Sequence, residues 1–277
     1  MYYSRKLRFD DKFASEYKDL FGLDEKKKLK ILEIGCGSGA LAGSVARWYP
    51  NAEIIAIDRD GEFIRFAKEH EKGVTFIEAD IAALPFANES FDVVISNTVC
   101  EHIEHSVFYK EQLRVLKPNG VCIVLSSRKG ITVAPDCYAQ SDYEKEFWQK
   151  AEQFDNVIKK YGVGKYYLNE AELPAVMERY GFKSVKTGYV MANLTPDNPD
   201  TSPEFAHAII NADRYAAIES IESVAYSIPE CFSIKELAEM KRIVNNKFDS
   251  RIKQYNNNEK QWDTTVSITM VMRGIKR

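Results

Sequence analysis

The residues with the clearest chemical meaning lie in one short segment, the glycine-rich run GCGSG at residues 35–39. It follows the mostly apolar residues 29–32, and Glu33 lies two positions before its first glycine. Because glycine has no Cβ atom, the backbone of such a turn can press against a ligand. Residues 40–48 read as a helix whose free N-terminal N–H groups would face that ligand. The segment therefore predicts a site for a nucleotide-type cofactor.

These glycines alone do not decide which cofactor binds. Gly35, Gly37 and Ala40 also fit the dinucleotide pattern Gly-x-Gly-x-x-Gly/Ala, which is a weak signal by itself. The second predicted strand, residues 53–57, runs into Asp58, about 20 residues beyond the glycines, as expected for a carboxylate that binds ribose hydroxyls. Several nucleotide cofactors predict this acid, and the alternative is that Asp58 caps the helix after it.

The next two strands separate these alternatives. Residues 74–81 predict a short strand with an acid near its end, and residues 93–97 predict a buried strand by their apolar character. Residues 113–120, LRVLKPNG, predict a helix end, a turn and the start of a fifth strand, residues 121–125. This alternation predicts a parallel sheet that is covered by helices on both faces.

Taken in order, these motifs resemble the class I S-adenosylmethionine-dependent methyltransferases of the small-molecule type. The matching segments are EIGCGSG at 33–39, Asp58, DI and LPF within 80–86, FDVV at 91–94 and RVLKPNG at 114–120. Each segment is a weak signal alone, but the ordered set is specific. It favours this family over an enzyme that binds a nicotinamide cofactor. The resemblance implies a doubly wound, Rossmann-like α/β fold, with a seven-stranded, mostly parallel sheet and an antiparallel last strand.

The resemblance also implies which residues bind S-adenosylmethionine. They are Glu33, Gly35, Cys36, Gly37, Gly39, Asp58, Arg59, Asp80, Ile81 and Asn97. The glycines would lie beneath the methionine part of the cofactor, with Glu33 near its amino group. Asp58 would accept hydrogen bonds from both ribose hydroxyls. Asp80 would accept from the adenine amino group beside the backbone N–H of Ile81, and Asn97 would lie near the sulfonium.

The reaction implied is an in-line displacement at a methyl group. The protein must align the acceptor with the methyl–sulfur bond, and a hydroxyl or ammonium acceptor must also lose a proton. His102, beside Glu101 after the fourth strand, is the predicted catalytic base, because imidazole titrates near neutral pH. Some members of the family that methylate hydroxyls have Glu-His at this place. The alternative role of His102 is a structural helix cap.

Two further predictions concern the surroundings of this loop. Tyr166 and Tyr167 are predicted to contact the methyl acceptor, with core packing as the alternative. A metal site built from Glu101, His102 and His105 matches no strong ligand motif, so no metal is predicted. We expect His105 to lie on a solvated face.

The chain divides into three predicted parts. Residues 1–28 form an N-terminal helix or flap, with aromatic residues at helical spacing over 9–21. Residues 29–192 with 262–277 form the S-adenosylmethionine-binding domain. Residues 193–261 form a helical insertion between strands six and seven, where the family normally has a tight hairpin. It is predicted to be a substrate lid over the strand ends, where ligands bind in open α/β sheets, or else a dimer interface.

Composition limits the classes of partner. The chain has 277 residues, 45% of them hydrophobic, and a net charge of −3. It lacks the basic block that tight nucleic-acid binding needs, and it shows no apolar segment long enough to span a membrane. Five cysteines without a Cys-x-x-Cys motif, and no signal peptide, predict a cytoplasmic protein with reduced thiols.

The sequence therefore predicts a methyltransferase that acts on an oxygen or nitrogen of a small-molecule metabolite, as a monomer or homodimer. Neither a nucleic acid nor a membrane is expected as a partner. Two alternatives stay open. One is a non-catalytic S-adenosylmethionine-binding protein with a regulatory or assembly role, and the other is a methyltransferase that acts on a macromolecule.

Overall fold

The computed structural model describes residues 2–160 and 164–277, and the centre of this part of the chain is one seven-stranded sheet. The strands are β1 (Lys30–Ile34), β2 (Glu53–Asp58), β3 (Val74–Glu78), β4 (Phe91–Asn97), β5 (Leu116–Val133), β6 (Lys183–Leu194) and β7 (Thr264–Ile275). Their order is β3-β2-β1-β4-β5-β7-β6, and β7 runs antiparallel to both of its neighbours. The predicted doubly wound α/β fold is confirmed.

Helices cover both faces of this sheet. They are α1 (Tyr2–Arg8), α2 (Ala14–Phe21), α3 (Ala40–Trp48), α4 (Gly61–His70), α5 (His105–Val115), α6 (Asp142–Lys150), α7 (Gln153–Lys160), α8 (Glu172–Arg179), α9 (Pro203–Ser227) and α10 (Ile234–Asn256). One apolar core joins the sheet to α1–α4 and α9, and a second joins it to α5 and α8. In β1, Ile31 packs in the first core and Leu32 in the second, because successive side chains of a strand point to opposite faces.

The N-terminal segment differs from its prediction. Instead of one helix over 9–21, two helices, α1 and α2, flank a short 3₁₀ turn at Asp11–Phe13. The side chain of Asp10 accepts a hydrogen bond from the backbone N–H of Lys12 at 2.9 Å, and so begins a new helical segment. Phe9, which is fully buried, anchors the break between the two helices in the core.

The last three strands of the sheet are longer than predicted. β5 continues eight residues beyond Leu125, the partner of the last residue of β4, and pairs with β7 as far as Val133 and Thr264. The sequence of this extension, SSRKGITV, is mostly polar, which explains why the apolar run predicted a strand over 121–125 only. Residues 193 and 194 belong to β6, so the interval between β6 and β7 is residues 195–263, slightly displaced from the predicted 193–261.

This interval holds the predicted helical insertion, α9 and α10. Helix α10 begins at the predicted capping box: Ser233 Oγ accepts from the Glu236 backbone, and the Ser233 backbone donates to the Glu236 carboxylate. A third apolar core joins α9 and α10 to α6. Helix α9 also packs on α1, where Ile209 and Ala212 share a core with Leu7.

A buried ion cluster fastens the insertion to the sheet. The fully buried guanidinium of Arg251, on α10, donates to Asp197 Oδ2 at 2.8 Å and to Asp263 Oδ1 at 2.6 Å. Asp197 follows β6 and Asp263 precedes β7, so three chain segments meet at one side chain. Within residues 2–160 and 164–277, no helix is both long enough and apolar enough to cross a membrane.

Candidate active site

The glycine-rich loop after β1 has a backbone that only glycine adopts readily. Gly35, Gly37 and Gly39 have φ values of +65°, +51° and +81°. A Cβ atom on Gly39 would lie 2.9 Å from the Cβ of Ala67, so the loop is also closely packed from behind. The backbone N–H of Cys36 donates to the carbonyl of Ile57 at 2.8 Å, which ties the loop to β2. The Cys36 thiol is buried, and desolvation raises its pKa.

Asp58, the last residue of β2, holds the same loop through its side chain. Its Oδ2 accepts from the Gly37 backbone N–H at 2.8 Å, and its Oδ1 accepts from the Asp60 backbone N–H at 3.0 Å. Asp60, not Asp58, caps α4 by accepting from Glu62. A carboxylate offers about four acceptor positions, so about two stay available on Asp58 for hydroxyl donors. Arg59, between the two acids, is exposed.

Asp80 and Ile81 lie beyond the end of β3, the strand beside β2. The exposed Asp80 accepts from the Ala82 backbone N–H at 2.8 Å through Oδ1, and so caps a short 3₁₀ turn. Ile81 is buried against the core below this turn. Because β2 and β3 run parallel, Asp58 and Asp80 lie at the same end of the sheet, where the strands end.

Glu33 and Asn97 lie on one face of the neighbouring strands β1 and β4. Glu33 pairs with Ile95, and Asn97 is two residues further along β4, so both side chains point to the same side. They are 2% and 6% exposed, and Glu33 Oε2 and Asn97 Oδ1 have no hydrogen-bond partner among the described residues. Burial raises the pKa of Glu33 to about 8. Buried acceptors of this kind are normally satisfied, so the pair fits a donor group from a ligand.

Arg5, on α1, is a site residue that the sequence analysis missed. Its Nη1 lies 2.9 Å from the position that a Cβ on Gly37 would occupy, so the guanidinium covers the glycine loop. Its charge also opposes the rise in the pKa of Glu33. The sequence offers one signal for this role, since Arg5 and Arg8 are three residues apart and would lie on one side of a helix. Both precede the glycine-rich segment, so no recognised motif points to them.

The loop after β4 brings the predicted catalytic and acceptor-binding residues together. The backbone N–H of Gly164 donates to Nδ1 of His102 at 3.0 Å, and that of Tyr166 donates to the carbonyl of Glu101 at 3.0 Å. His105 is half-buried with Nε2 2.9 Å from the Tyr166 carbonyl oxygen, so its expected place on a solvated face is wrong. This contact connects the first residue of α5 to the loop that carries Tyr166.

One of these contacts indicates which nitrogen of a neutral His102 ring carries the proton. Because Nδ1 accepts from Gly164, the neutral imidazole carries its proton on Nε2, and the side chain is exposed. This geometry favours the structural alternative, in which His102 positions the segment that begins at Gly164. Its role as a base stays a prediction.

Tyr167 lies next to a buried arginine that the sequence did not single out. Its hydroxyl accepts from Arg128 Nη1 at 3.0 Å, while its side chain is largely exposed. Arg128 also donates to the carbonyl of Leu168 at 3.0 Å. Arg128 therefore joins the extension of β5 to the loop that carries Tyr166 and Tyr167.

Two cavities lie along α9 of the insertion. One, of about 690 Å³, is an open cavity that residues of α1, α6, α7 and α9 line, and its wall includes Ser4 and Trp148. The other, of about 630 Å³, lies between α4 and α9 and includes Ser38 of the glycine loop. The insertion thus borders the predicted cofactor site directly.

Comparison with known proteins identifies the family to which this fold belongs. A family profile described as a methyltransferase domain matches residues 25–193. A malonyl-[acyl-carrier protein] O-methyltransferase from Methylococcus capsulatus is 33% identical over 97 residues, which are 33% of this chain and 34% of that protein. A fatty-acid O-methyltransferase from Mycolicibacterium smegmatis is 32% identical over 103 residues, 36% of this chain and 37% of that protein. The matches span about a third of each relative's length.

A solved structure shows the same fold. Phosphoethanolamine N-methyltransferase 2 from Haemonchus contortus, in complex with phosphomonomethylethanolamine and S-adenosylhomocysteine, matches with a TM-score of 0.51 and 19% identity. The match covers 96% of this chain and 52% of that one, and at this identity it concerns the fold alone. The family profile covers more than half of the chain and confirms the resemblance drawn from the sequence. The chain belongs to the methyltransferase domain family, whose cofactor is S-adenosylmethionine.

Proposed function

We propose that this protein transfers a methyl group from S-adenosylmethionine to an oxygen or nitrogen of a small-molecule metabolite. One observation carries the proposal. Glu33 and Asn97 present two buried oxygens on the same side of the sheet, next to the glycine loop, and neither oxygen has a hydrogen-bond partner among the described residues. An ammonium group such as that of the cofactor's methionine part would supply the missing donors.

The other predicted cofactor residues fit the remaining parts of the same molecule. The guanidinium of Arg5, above Gly37, would pair with the cofactor's carboxylate. Asp58 keeps acceptor capacity for ribose hydroxyls, and Asp80 keeps one oxygen for the adenine amino group. Cys36, Arg59 and Ile81 would contribute backbone groups or contact surface. When bound, the cofactor supplies an electrophilic methyl group on a sulfonium.

The protein's own contribution is to position the acceptor and to exclude water. Residues 29–194 with 264–277 form the cofactor-binding domain, α1 within residues 1–28 acts as a flap, and the helical insertion of residues 195–263 acts as a substrate lid. The cavities along α9 support the lid role, because one of them includes Ser38. Tyr166 and Tyr167 would contact the acceptor near Glu101 and His102.

The proposal extends to the acceptor atom, the oligomeric state and the cellular location. The two relatives named above act on malonyl-[acyl-carrier protein] and on fatty acids, and both are named as O-methyltransferases, which supports an oxygen of a metabolite as the acceptor. We propose a monomer or homodimer in the cytoplasm. With a net charge of −3 we expect no nucleic-acid partner.

The first test is thermal unfolding with S-adenosylhomocysteine, with NAD as the parallel control. A ligand at about 100 times its dissociation constant adds roughly 2.7 kcal/mol to the free energy of unfolding, which raises the midpoint by several degrees. We expect a shift with S-adenosylhomocysteine alone. A shift with NAD alone would contradict the proposed cofactor.

Turnover needs a second test, because cofactor binding also fits the non-catalytic alternative. The protein is incubated with methyl-labelled S-adenosylmethionine and a metabolite extract, and label in small-molecule products is counted. We expect labelled products, and we expect the Asp58→Asn variant to form fewer of them at a cofactor concentration near the dissociation constant of the unaltered protein. Binding without any transfer would favour a regulatory or assembly role. When a whole-cell extract replaces the metabolite extract, label in macromolecules alone would favour a methyltransferase that acts on a macromolecule.

A further inference from the structure

Helix α1 presents different side chains to different neighbours. On one side of the helix, Lys6 forms an ion pair with Glu71 at 3.0 Å. On a second side, the ring of Tyr3 stacks on the ring of Tyr215 of α9. The remaining side carries Arg5 and Arg8, which are neighbours on the helix surface because they are three residues apart. Arg5 covers the glycine loop. Arg8 points beyond that loop, because its Nη1 donates to Ser127 Oγ at 2.6 Å.

Ser127 marks the place where an acceptor would approach the methyl group. Asn97 pairs with Leu125, and Ser127 is two residues further along β5, so Asn97 and Ser127 share one face of the sheet. With strands about 4.8 Å apart and a rise of about 3.3 Å per residue, the two Cα atoms lie roughly 8 Å apart. The Arg8 guanidinium is therefore next to the predicted transfer site and one strand away from Asn97.

Arg8 has no acidic partner in the part of the chain that the structure describes. Within residues 2–160 and 164–277, its side chain bonds to Ser127 and forms no ion pair with Asp or Glu. Desolvation, reinforced by the charge of Arg5, lowers the pKa of Arg8. An arginine nevertheless stays charged in proteins, so a half-buried guanidinium with free N–H groups fits an anion, which it binds best as a carboxylate through its planar fork.

The larger cavity begins on the same side of α1, one turn before Arg8. Ser4, four residues before Arg8, is part of its wall. Much of the remaining wall is apolar and comes from α6, α7 and α9, including Trp148, Phe154, Ala216, Ala217 and Val224. Its volume of about 690 Å³ lies in the range of small-molecule sites.

Charge in this cavity gives a bound molecule one orientation. Its wall also carries the carboxylates of Glu152 and Asp155, which would repel an anionic group placed inside. The anionic end of a ligand is thus favoured at Arg8, and its apolar end is favoured in the cavity.

We infer that the methyl acceptor is an amphipathic organic acid, whose carboxylate is bound by Arg8 and whose apolar part occupies the cavity between α1, α6, α7 and α9. This inference rests on the proposed function. It adds the chemical class of the acceptor and a residue that recognises it.

The test uses octanoate as the probe and the protein saturated with S-adenosylhomocysteine. Calorimetric titration compares the unaltered protein with Arg8→Gln and with Arg179→Gln, an exposed arginine on α8. We expect saturable octanoate binding that Arg8→Gln weakens about 10-fold or more and Arg179→Gln leaves unchanged. Octan-1-ol, which lacks the carboxylate, should bind equally well to all three proteins.

The affinity for S-adenosylhomocysteine separates the failure of this inference from the failure of the proposed function. If that ligand does not bind, the proposed function fails. If it binds but millimolar octanoate does not, or if octylammonium binds more tightly than octanoate, the inference is overturned. It is also overturned if Arg8→Gln weakens both ligands equally, because Arg8 would then serve the cofactor. Should Arg8→Gln not fold, Arg8→Lys keeps the charge without the fork, and octanoate affinity should fall by a smaller factor.

Discussion

The backbone N–H of Gly37 donates to Oδ2 of Asp58 over 2.8 Å, so one carboxylate holds the glycine loop and stands at the end of β2. Its other oxygen accepts from Asp60. Removing the whole carboxylate would therefore release the loop as well as any hydroxyl bound there. A substitution that keeps one acceptor oxygen separates these two effects better than alanine does.

Asp58→Asn is the variant we expect to weaken S-adenosylhomocysteine binding without unfolding the protein. The asparagine oxygen can still accept from Gly37, while the charge-assisted bonds to ribose are lost. A hydrogen bond to a charged group is worth about 1.5–3 kcal/mol, so the dissociation constant should rise about 10- to 100-fold. Isothermal titration calorimetry measures it.

Asp60→Asn is the matched control for that substitution. Asp60 caps α4 by accepting from Glu62, and asparagine caps helices equally well. We expect its affinity and its unfolding midpoint to equal those of the unaltered protein. Equal affinities for both variants and the unaltered protein would contradict the ribose role of Asp58.

Glu33 makes a second prediction, about pH. Its pKa is raised to about 8 by burial, so in the free protein it is mostly protonated at pH 7. An ammonium group bound beside it favours the carboxylate, so binding releases a proton. We expect S-adenosylhomocysteine affinity to rise between about pH 6 and pH 7.5, by up to tenfold per pH unit. Calorimetry in buffers of different ionisation enthalpy counts the proton, and Glu33→Gln should remove both the release and the slope.

The same group sets a pH dependence of stability in the absence of ligand. Glu33 binds its proton more tightly in the folded state than in the unfolded state, where its pKa has the ordinary value of 4.5. Its contribution to the free energy of unfolding therefore falls as the pH rises from that value through about 8. Glu33→Gln should unfold at a higher temperature than the unaltered protein at about pH 8.5, and at a similar temperature near pH 4. A lower midpoint for the variant at high pH would show that Glu33 is charged and satisfied without ligand.

The backbone of the glycine loop and the place of Asp58 could be predicted from the sequence because their signals are local. A positive φ demands glycine, and an acid at the end of a parallel strand lies at the ligand-binding edge wherever the strand is placed. The predicted helix over 40–48 agrees with α3 for the same reason, since it follows Gly39 directly.

The surroundings of the proposed acceptor site depend on contacts between distant residues, and they could not be predicted in this way. Arg8 and Ser127 are 119 residues apart, and nothing near either residue indicates the other. The polar extension of β5 forms a strand because β7 pairs with it, not because of its own apolar pattern. Arg251 reads as a surface residue of an amphipathic helix, yet its partner Asp197 lies 54 residues away and makes it a buried one.

His102 provides a prediction that needs no knowledge of the acceptor. If its imidazole positions the segment at Gly164, His102→Ala should speed hydrogen exchange of the Gly164 amide, because that N–H loses its acceptor. His102→Asn, whose side chain also offers an acceptor, should restore part of the protection. Nuclear magnetic resonance or mass spectrometry can follow the exchange. Unchanged protection in both variants would exclude the positioning role and leave the catalytic base as the better explanation of His102.

Arg251 should be the residue whose loss most weakens the attachment of the insertion. Arg251→Met leaves the carboxylates of Asp197 and Asp263 buried without their cation, and breaking a buried ion pair costs about 3–5 kcal/mol. Urea unfolding should show that loss in the free energy of unfolding. Arg242→Met, on the exposed surface of the same helix, should change it by less than about 0.5 kcal/mol. Adding Asp197→Asn and Asp263→Asn to Arg251→Met removes the stranded charges and should recover part of the loss. If Arg251→Met alone were as stable as the unaltered protein, the cluster would not fasten the insertion, and apolar packing of α9 on α1 would have to do so.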